Sequence, residues 1–251
     1  MTTPPDGLLF DVATLPTPVE RLLLLADQYV QHNDMLDRLL RSGPQAEPDT
    51  NVASAQRLAY ATRTAIKAIL DERLFESHEL SDTVVRLQQL AFLSGASTEH
   101  PLPTARMLTA LAPEAIVGCA DRLAGEIRRR RWNSTDAPVH QVSPTQRTAL
   151  WEIACGNVVA TSSLGRQYIH YRDARVLIGT LRSLEANDLV ERVPQFASPA
   201  FVGGPLQDRV RLTSAGTTAL ASALCLPPAA GSPSATTPPT PVSTRTATRS
   251  R

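Results

Sequence analysis

Residues 175–187 read Arg-Val-Leu-Ile-Gly-Thr-Leu-Arg-Ser-Leu-Glu-Ala-Asn. At helical spacing Leu177, Leu181 and Leu184 form one apolar stripe, and Arg175, Gly179, Arg182 and Ala186 fall on the opposite side with Thr180 and Ser183 flanking them. Two guanidinium groups can donate to phosphate oxygens or base edges, two hydroxyls can do either, and the small residues let the backbone come close. That chemistry suits a duplex groove. Nearby, Arg209 and Arg211 alternate onto one face of an apparent strand, Asp208–Leu212. Between Thr161 and Asp173 lies Arg166, and Tyr168, His170 and Arg172 share one face if that segment is extended. Such a face can meet a phosphate backbone, although a plain solvated strand face explains it as well. Arg128–Arg131 is the densest charge cluster; it fits either a phosphate anchor or arginines complementing the dipole at a helix C-terminus.

Other chemistries find little support. His32, His78, His100, His140 and His170 are scattered without metal-ligand spacing. Cys119, Cys155 and Cys225 share no disulfide or metal pattern, and the first two sit among apolar helical residues, as buried thiols do. There is no phosphate-binding glycine loop and no nucleophile elbow, and pairs such as Asp71-Glu72 lie on apparent solvent faces. The expectation is a protein that is not an enzyme and uses no metal or cofactor.

Charge is distributed unevenly. Residues 1–143 carry 18 acids and 14 bases, residues 144–225 carry 6 acids and 8 bases, and Arg245, Arg249 and Arg251 follow. Lys67 is the only lysine. The basic lean at the C-terminal side is mild for a nucleic-acid partner. No signal-peptide pattern opens the chain and no run nears the ~20 apolar residues of a membrane helix, so a cytoplasmic protein with no membrane partner is expected.

The elements that must hold these residues follow from local signals. Residues 1–16, rich in proline, read as a flexible N-terminus. Thr17-Pro18-Val19-Glu20 is a capping box for a helix carrying Leu22, Leu25, Tyr29, Leu36 and Leu40, stopped by Ser42-Gly43-Pro44. Further helices are predicted from about Asn51 to Leu74, from Leu80 to Phe92, and from Thr104 to Trp132 with a break near Pro113. Residues 17–132 thus form a helical domain of about four helices, suited to dimerisation. Residues 133–142 are a polar linker, and 226–251, dominated by Pro, Thr, Ser and Ala, a disordered tail.

In 143–225, Ser143-Pro144-Thr145-Gln146 opens a helix that ends at Gly156. Strands are predicted at Val158–Thr161 and Gln167–Tyr171, with a reversal near Gly165. The 175–187 helix ends at Asn187-Asp188, where Asn adopts the left-handed conformation. Strands at Leu189–Val193 and Asp208–Leu212 are joined by a 194–207 connector containing Phe196 and Phe201, and Thr213 caps a last helix. Helix, strand, outward helix, hairpin, helix is the order of a winged helix.

Thr180–Arg192 (Thr-Leu-Arg-Ser-Leu-Glu-Ala-Asn-Asp-Leu-Val-Glu-Arg) resembles the recognition helix and first wing strand of MarR-like regulators, and Arg209–Gly216 their second wing strand and following cap. The resemblance covers about a third of the chain, roughly residues 143–224. It implies that Arg175, Thr180, Arg182 and Ser183 face bases or phosphates and that Arg192, Arg209 and Arg211 serve the wing. One departure is plain: those regulators have a short helix where this chain has the extended Thr161–Asp173. The fold expected is mainly α, a helical N-terminal domain followed by a C-terminal winged helix with a small β-hairpin wing. The function expected is a DNA-binding transcriptional regulator acting as a homodimer on double-stranded DNA. The rival is a non-catalytic assembly module meeting a protein partner through the wing or the helical domain; a third reading is a regulator holding an effector between its helices.

Overall fold

The computed structural model describes residues 15–42, 48–72, 77–130, 142–163, 166–199 and 204–226. The N-terminal 1–14, the Gly43-Pro44 stop, Arg73 and Leu74, Arg131 and Trp132, most of the 133–142 linker, Gly165, Phe201 and the 227–251 tail lie outside them.

The protein is mainly helical, with a small antiparallel sheet near its C-terminal end. Helix α1 spans Pro18–Ser42, α2 Pro48–Asp71, α3 His78–Ala96, α4 Leu102–Thr109 and α5 Ala112–Arg130. The expected fourth helix is therefore two. The chain breaks at Ala110-Leu111, and Pro113 takes the second position of α5, where its missing N–H costs no hydrogen bond. Local caps form as the sequence predicts. Glu20 N donates to Thr17 Oγ1 (3.2 Å) while Thr17 N donates to Glu20 Oε2 (2.8 Å), and Ser143 with Gln146 makes the same reciprocal pair at the start of α6, Pro144–Ala154.

Helix α1 is the hub, and three consecutive polar residues show it. At about 100° per residue they point to three neighbours. His32 Nδ1 meets Ser54 Oγ of α2 at 2.9 Å. Asn33 Nδ2 donates to Thr109 O of α4 at 3.0 Å and Asn33 Oδ1 accepts from Thr109 Oγ1 at 2.7 Å. Asp34 faces the sheet. Higher up, the buried Tyr29 hydroxyl lies 2.6 Å from Ser94 Oγ and 3.1 Å from Thr62 Oγ1. A helix packed against neighbours on several sides buries polar positions as well as apolar ones, and each buried polar group needs its own partner.

His32 is 2 % exposed, and burial, with the Arg106 charge adding, pushes its pKa down from 6.5 to about 4. Below pH 6.5 the unfolded chain takes up a proton that the folded chain refuses. Stability complete above that pH is therefore lost as pH falls toward 4, by about 3 kcal/mol from this group. Urea titrations from pH 7 to 4 should show that loss in the wild type, and His32→Asn should remove most of it.

The C-terminal elements are β1 (Val159–Ser163), β2 (Arg166–His170), α7 (Ile178–Ala186), β3 (Val190–Ala197), β4 (Gln207–Leu212) and α8 (Ser214–Cys225). The sheet order is β2-β1-β4-β3, antiparallel throughout. β3 extends beyond the expected Val193 through Pro194 and Phe196, with Gln195 at φ 53° where the pairing to β4 shifts register. Helix α7 starts later than expected. Leu177 has extended backbone and caps the helix without a side-chain bond, so Arg175 precedes the helix and Leu177, 47 % exposed, leaves the buried stripe to Leu181 and Leu184. At the other end the left-handed residue is Asp188 (φ 55°), not Asn187.

One hydrophobic core runs through both halves: Leu22, Tyr29, Ile116 and Leu123 belong to the same cluster as Leu150, Val210 and Leu220. Helix α8 packs on α1 and α5, and α6 touches both. Arg128 Nη1 donates to Leu224 O (3.1 Å) and Leu226 O (2.7 Å), satisfying carbonyls at the end of α8. Arg129 pairs with Glu126 and Glu79. These two members of the arginine cluster thus hold helices in place. α8 itself is seated by its first turn: a Cβ on Gly216 would lie 1.8 Å from Leu189 O. Gly216→Ala should lower stability by about 3 kcal/mol, read by thermal or urea unfolding, because the obstacle is backbone and cannot rotate away.

Candidate nucleic-acid interface

The outward side of the C-terminal half consists of α7, the loop before it and the β1–β2 hairpin. Helix α7 packs inward through Leu181 and Leu184 and leaves Gly179, Arg182 and Ala186 exposed. A Cβ on Gly179 would meet nothing within 4 Å, so open space lies over this face. Arg182 Nη2 donates to the neutral Gln167 Oε1 of β2 at 3.2 Å, tying helix to hairpin without consuming the charge. Arg175 is exposed, and among the described residues no carboxylate pairs with it or with Arg182. Thr180 is half-buried in the first turn. Ser183 is half-buried too, and its Oγ accepts from Gln146 Nε2 of α6 at 3.3 Å, so that hydroxyl positions α7 against α6.

The hairpin supplies Tyr168 and His170 on one exposed face, as the alternation predicts, with the exposed Tyr171 just beyond. The His170 ring nitrogen Nε2 lies 3.3 Å from Thr161 Oγ1 across the pair. Arg172 follows the strand, exposed, with its guanidinium 3.9 Å from Glu114 and 4.0 Å from Asp173. Arg166 sits in β2 opposite Ser163.

The wing arginines are placed otherwise than expected. Arg209 and Arg211 do share one face of β4, but that face looks inward at α1. Arg209 is 8 % exposed: Nε donates to Asp34 Oδ2 at 2.7 Å, Nη2 to Asp34 Oδ1, and Nη1 to Gly156 O at 2.6 Å. Burial pushes the Asp34 carboxyl up, against the pull of the Arg209 guanidinium. Arg211 makes the same two-pronged bond to Asp27, Nε to Oδ1 at 2.8 Å, and the hydrogen bond to Asp27 raises its pKa. Arg192 is bonded to Glu185 Oε1 at the end of α7. All three are engaged within the chain, and the two on β4 join sheet to helical layer. Phe196 turns toward α1 as well, with the Arg38 guanidinium 5.1 Å from its ring centre.

One further arginine, outside the expected set, also lacks a carboxylate partner among the described residues. This is Arg147 of α6, half-buried and one position after the Gln146 that reaches α7. Its only signal in the sequence is its place beside the cap. Cys119 and Cys155 are buried, and burial pushes their thiols up to about 11 and about 12. Among the described residues no cluster of His, Cys, Asp or Glu could hold a metal ion, and no helix is long and apolar enough to cross a membrane.

Compared with protein-family models, curated proteins and solved structures, the chain matches none.

Proposed function

We propose that residues 143–226 are a variant winged helix that docks α7 on double-stranded DNA, in a transcriptional regulator acting as a homodimer. One observation carries the reading. Of the arginines whose side chains are described in this half, Arg172, Arg192, Arg209 and Arg211 each lie within 4.0 Å of a carboxylate, whereas Arg175 and Arg182, on the outward side around α7, and Arg147 of α6 have no carboxylate partner among the described residues. Support for the winged helix is topological: β1, β4 and β3 are adjacent strands of the four-stranded sheet, α7 leads into its last hairpin, and β2 takes the place in chain order where a support helix is expected. Arg175 and Arg182 would contact phosphates or base edges, the open face at Gly179 would admit the backbone, and Tyr168, His170 and Arg172 would follow the adjacent strand.

A second reading has an observation of its own. The three wing arginines are occupied within the chain, so an assembly module that docks a protein through the same face needs fewer free cations than a DNA reader. Selection of genomic fragments with the purified protein at moderate salt separates the two. Enrichment of a common sequence, as an inverted repeat for a dimer, supports the first reading. A fragment pool indistinguishable from input overturns it.

A further inference from the structure

Helices α1 and α2, together with Phe196 of β3, line a groove of about 1230 Å³. From α1 it is lined at helical spacing by His32, Met35 and Arg38, and from α2 by Ser54, Arg57 and Tyr60, with Phe196 of β3 completing the lining. Three features of this lining belong together. First, His32 Nε2 is buried and has no hydrogen-bond partner, while the other ring nitrogen is held by Ser54. Buried polar atoms are nearly always paired, and this unpaired ring nitrogen of a lining residue can take a polar ligand atom as its partner. Its low pKa keeps the ring neutral at pH 7, ready to donate or accept through that atom.

Second, the groove is cationic, with two arginines and, among the described residues, no carboxylate in its lining. Among the described residues Arg57 spends only Nε, on Ala53 O at 3.3 Å, and Arg38 lies over the Phe196 ring with no acid bonded to it. Third, the rest is suited to a flat ring with hydrogen-bonding edges. Tyr60 is 72 % exposed and Phe196 is in the lining, both able to stack, and Gln28 and Gln56 add carboxamides that can donate and accept, while Gln31 Nε2 is held by Asp27 Oδ2 at 2.7 Å. Two guanidiniums, stacking rings and carboxamides are the complement of a heterocycle carrying phosphate.

From this geometry we infer that the α1–α2 groove binds a small nucleotide, its phosphate on Arg38 and Arg57 and its base beside Tyr60 and His32. The site is separate from the α7 face and does not depend on the DNA reading. It does touch β3, so occupancy would be felt by the strand that follows α7.

Isothermal titration of the full chain with AMP, GMP, CMP and UMP in turn, and with inorganic phosphate, tests it. At least one nucleotide should bind one-to-one with Kd below about 100 μM, and phosphate alone at least about tenfold more weakly. Arg57→Ala and Tyr60→Ala, both at exposed positions where the fold does not depend on the side chain, should each weaken that binding about tenfold. Arg182→Ala should leave it unchanged. The proposal falls if none of the four binds below about 1 mM, or if phosphate binds as tightly as the nucleotides. It also falls if Arg57→Ala and Tyr60→Ala bind like wild type, or if Arg182→Ala abolishes the signal.

Discussion

Asp34→Ala is expected to destabilise the protein by about 3–5 kcal/mol, the cost of leaving a buried cation without its counter-charge. The Arg209 guanidinium is held by both oxygens of Asp34 and by the Gly156 carbonyl, in a setting where each side chain is under a tenth exposed. Removing the carboxylate strands the charge, since no other acid bonds to it among the described residues. Replacing both partners by apolar residues, Asp34→Leu with Arg209→Met, should cost far less than Asp34→Ala alone, because a buried ion pair repays little more than its own desolvation. Urea unfolding of the two single variants and the pair measures the coupling. A loss under about 1 kcal/mol for Asp34→Ala would mean that the pair is not desolvated as described. The consequence for function is positional: with Arg211–Asp27 beside it, this pair fixes β4, and through β3 and α7 the outward face, to the central helix.

The second large effect concerns binding. Arg175→Ala with Arg182→Ala should weaken duplex binding about 100-fold at moderate salt, since removing an arginine that touches the duplex costs roughly 1–3 kcal/mol. The slope of log K against log salt should flatten by about 2, one for each phosphate no longer neutralised. Arg192→Ala, at a residue bonded to Glu185, should stay within about threefold of wild type if that residue meets no DNA. Fluorescence anisotropy on the selected duplex at several salt concentrations gives all three numbers. Equal affinity in the double variant removes α7 from the interface.

The contrast between these arginines shows what a sequence can and cannot carry. Thr17, Ser143 and Thr213 are legible as helix starts because each cap bonds a backbone amide three residues on. The alternation of Tyr168 and His170 is legible because a strand repeats every two residues. The roles of Arg209 and Arg211 are not. Their partners lie 175 and 184 residues away, and a strand pattern says which residues share a face without saying which way the face looks. Leu177 shows the same limit at short range: it fits the apolar stripe, yet the helix starts after it, with no polar cap to mark the boundary. The expected division at 133–142 likewise gives no hint that Leu22 and Leu220 share one core, since apolar periodicity names a buried face and not its neighbour. Of the candidate site, the α7 arginines are readable and the groove between α1 and α2 is not, because its residues are close only after the helices pack.

The most direct test of the α7 assignment places a cleavage reagent on the helix. Ala186 is exposed at its end, and Cys119 and Cys155 are buried with thiols pushed up, so Ala186→Cys in a Cys225→Ser background can be labelled selectively with iron–EDTA. If α7 docks on DNA, the selected duplex will be cut in a narrow window within its enriched sequence. The same label on Thr64→Cys, exposed on α2, will leave that window uncut. Uncut DNA with the α7 label under conditions where the duplex is bound, or equal cutting from both positions, would contradict the account.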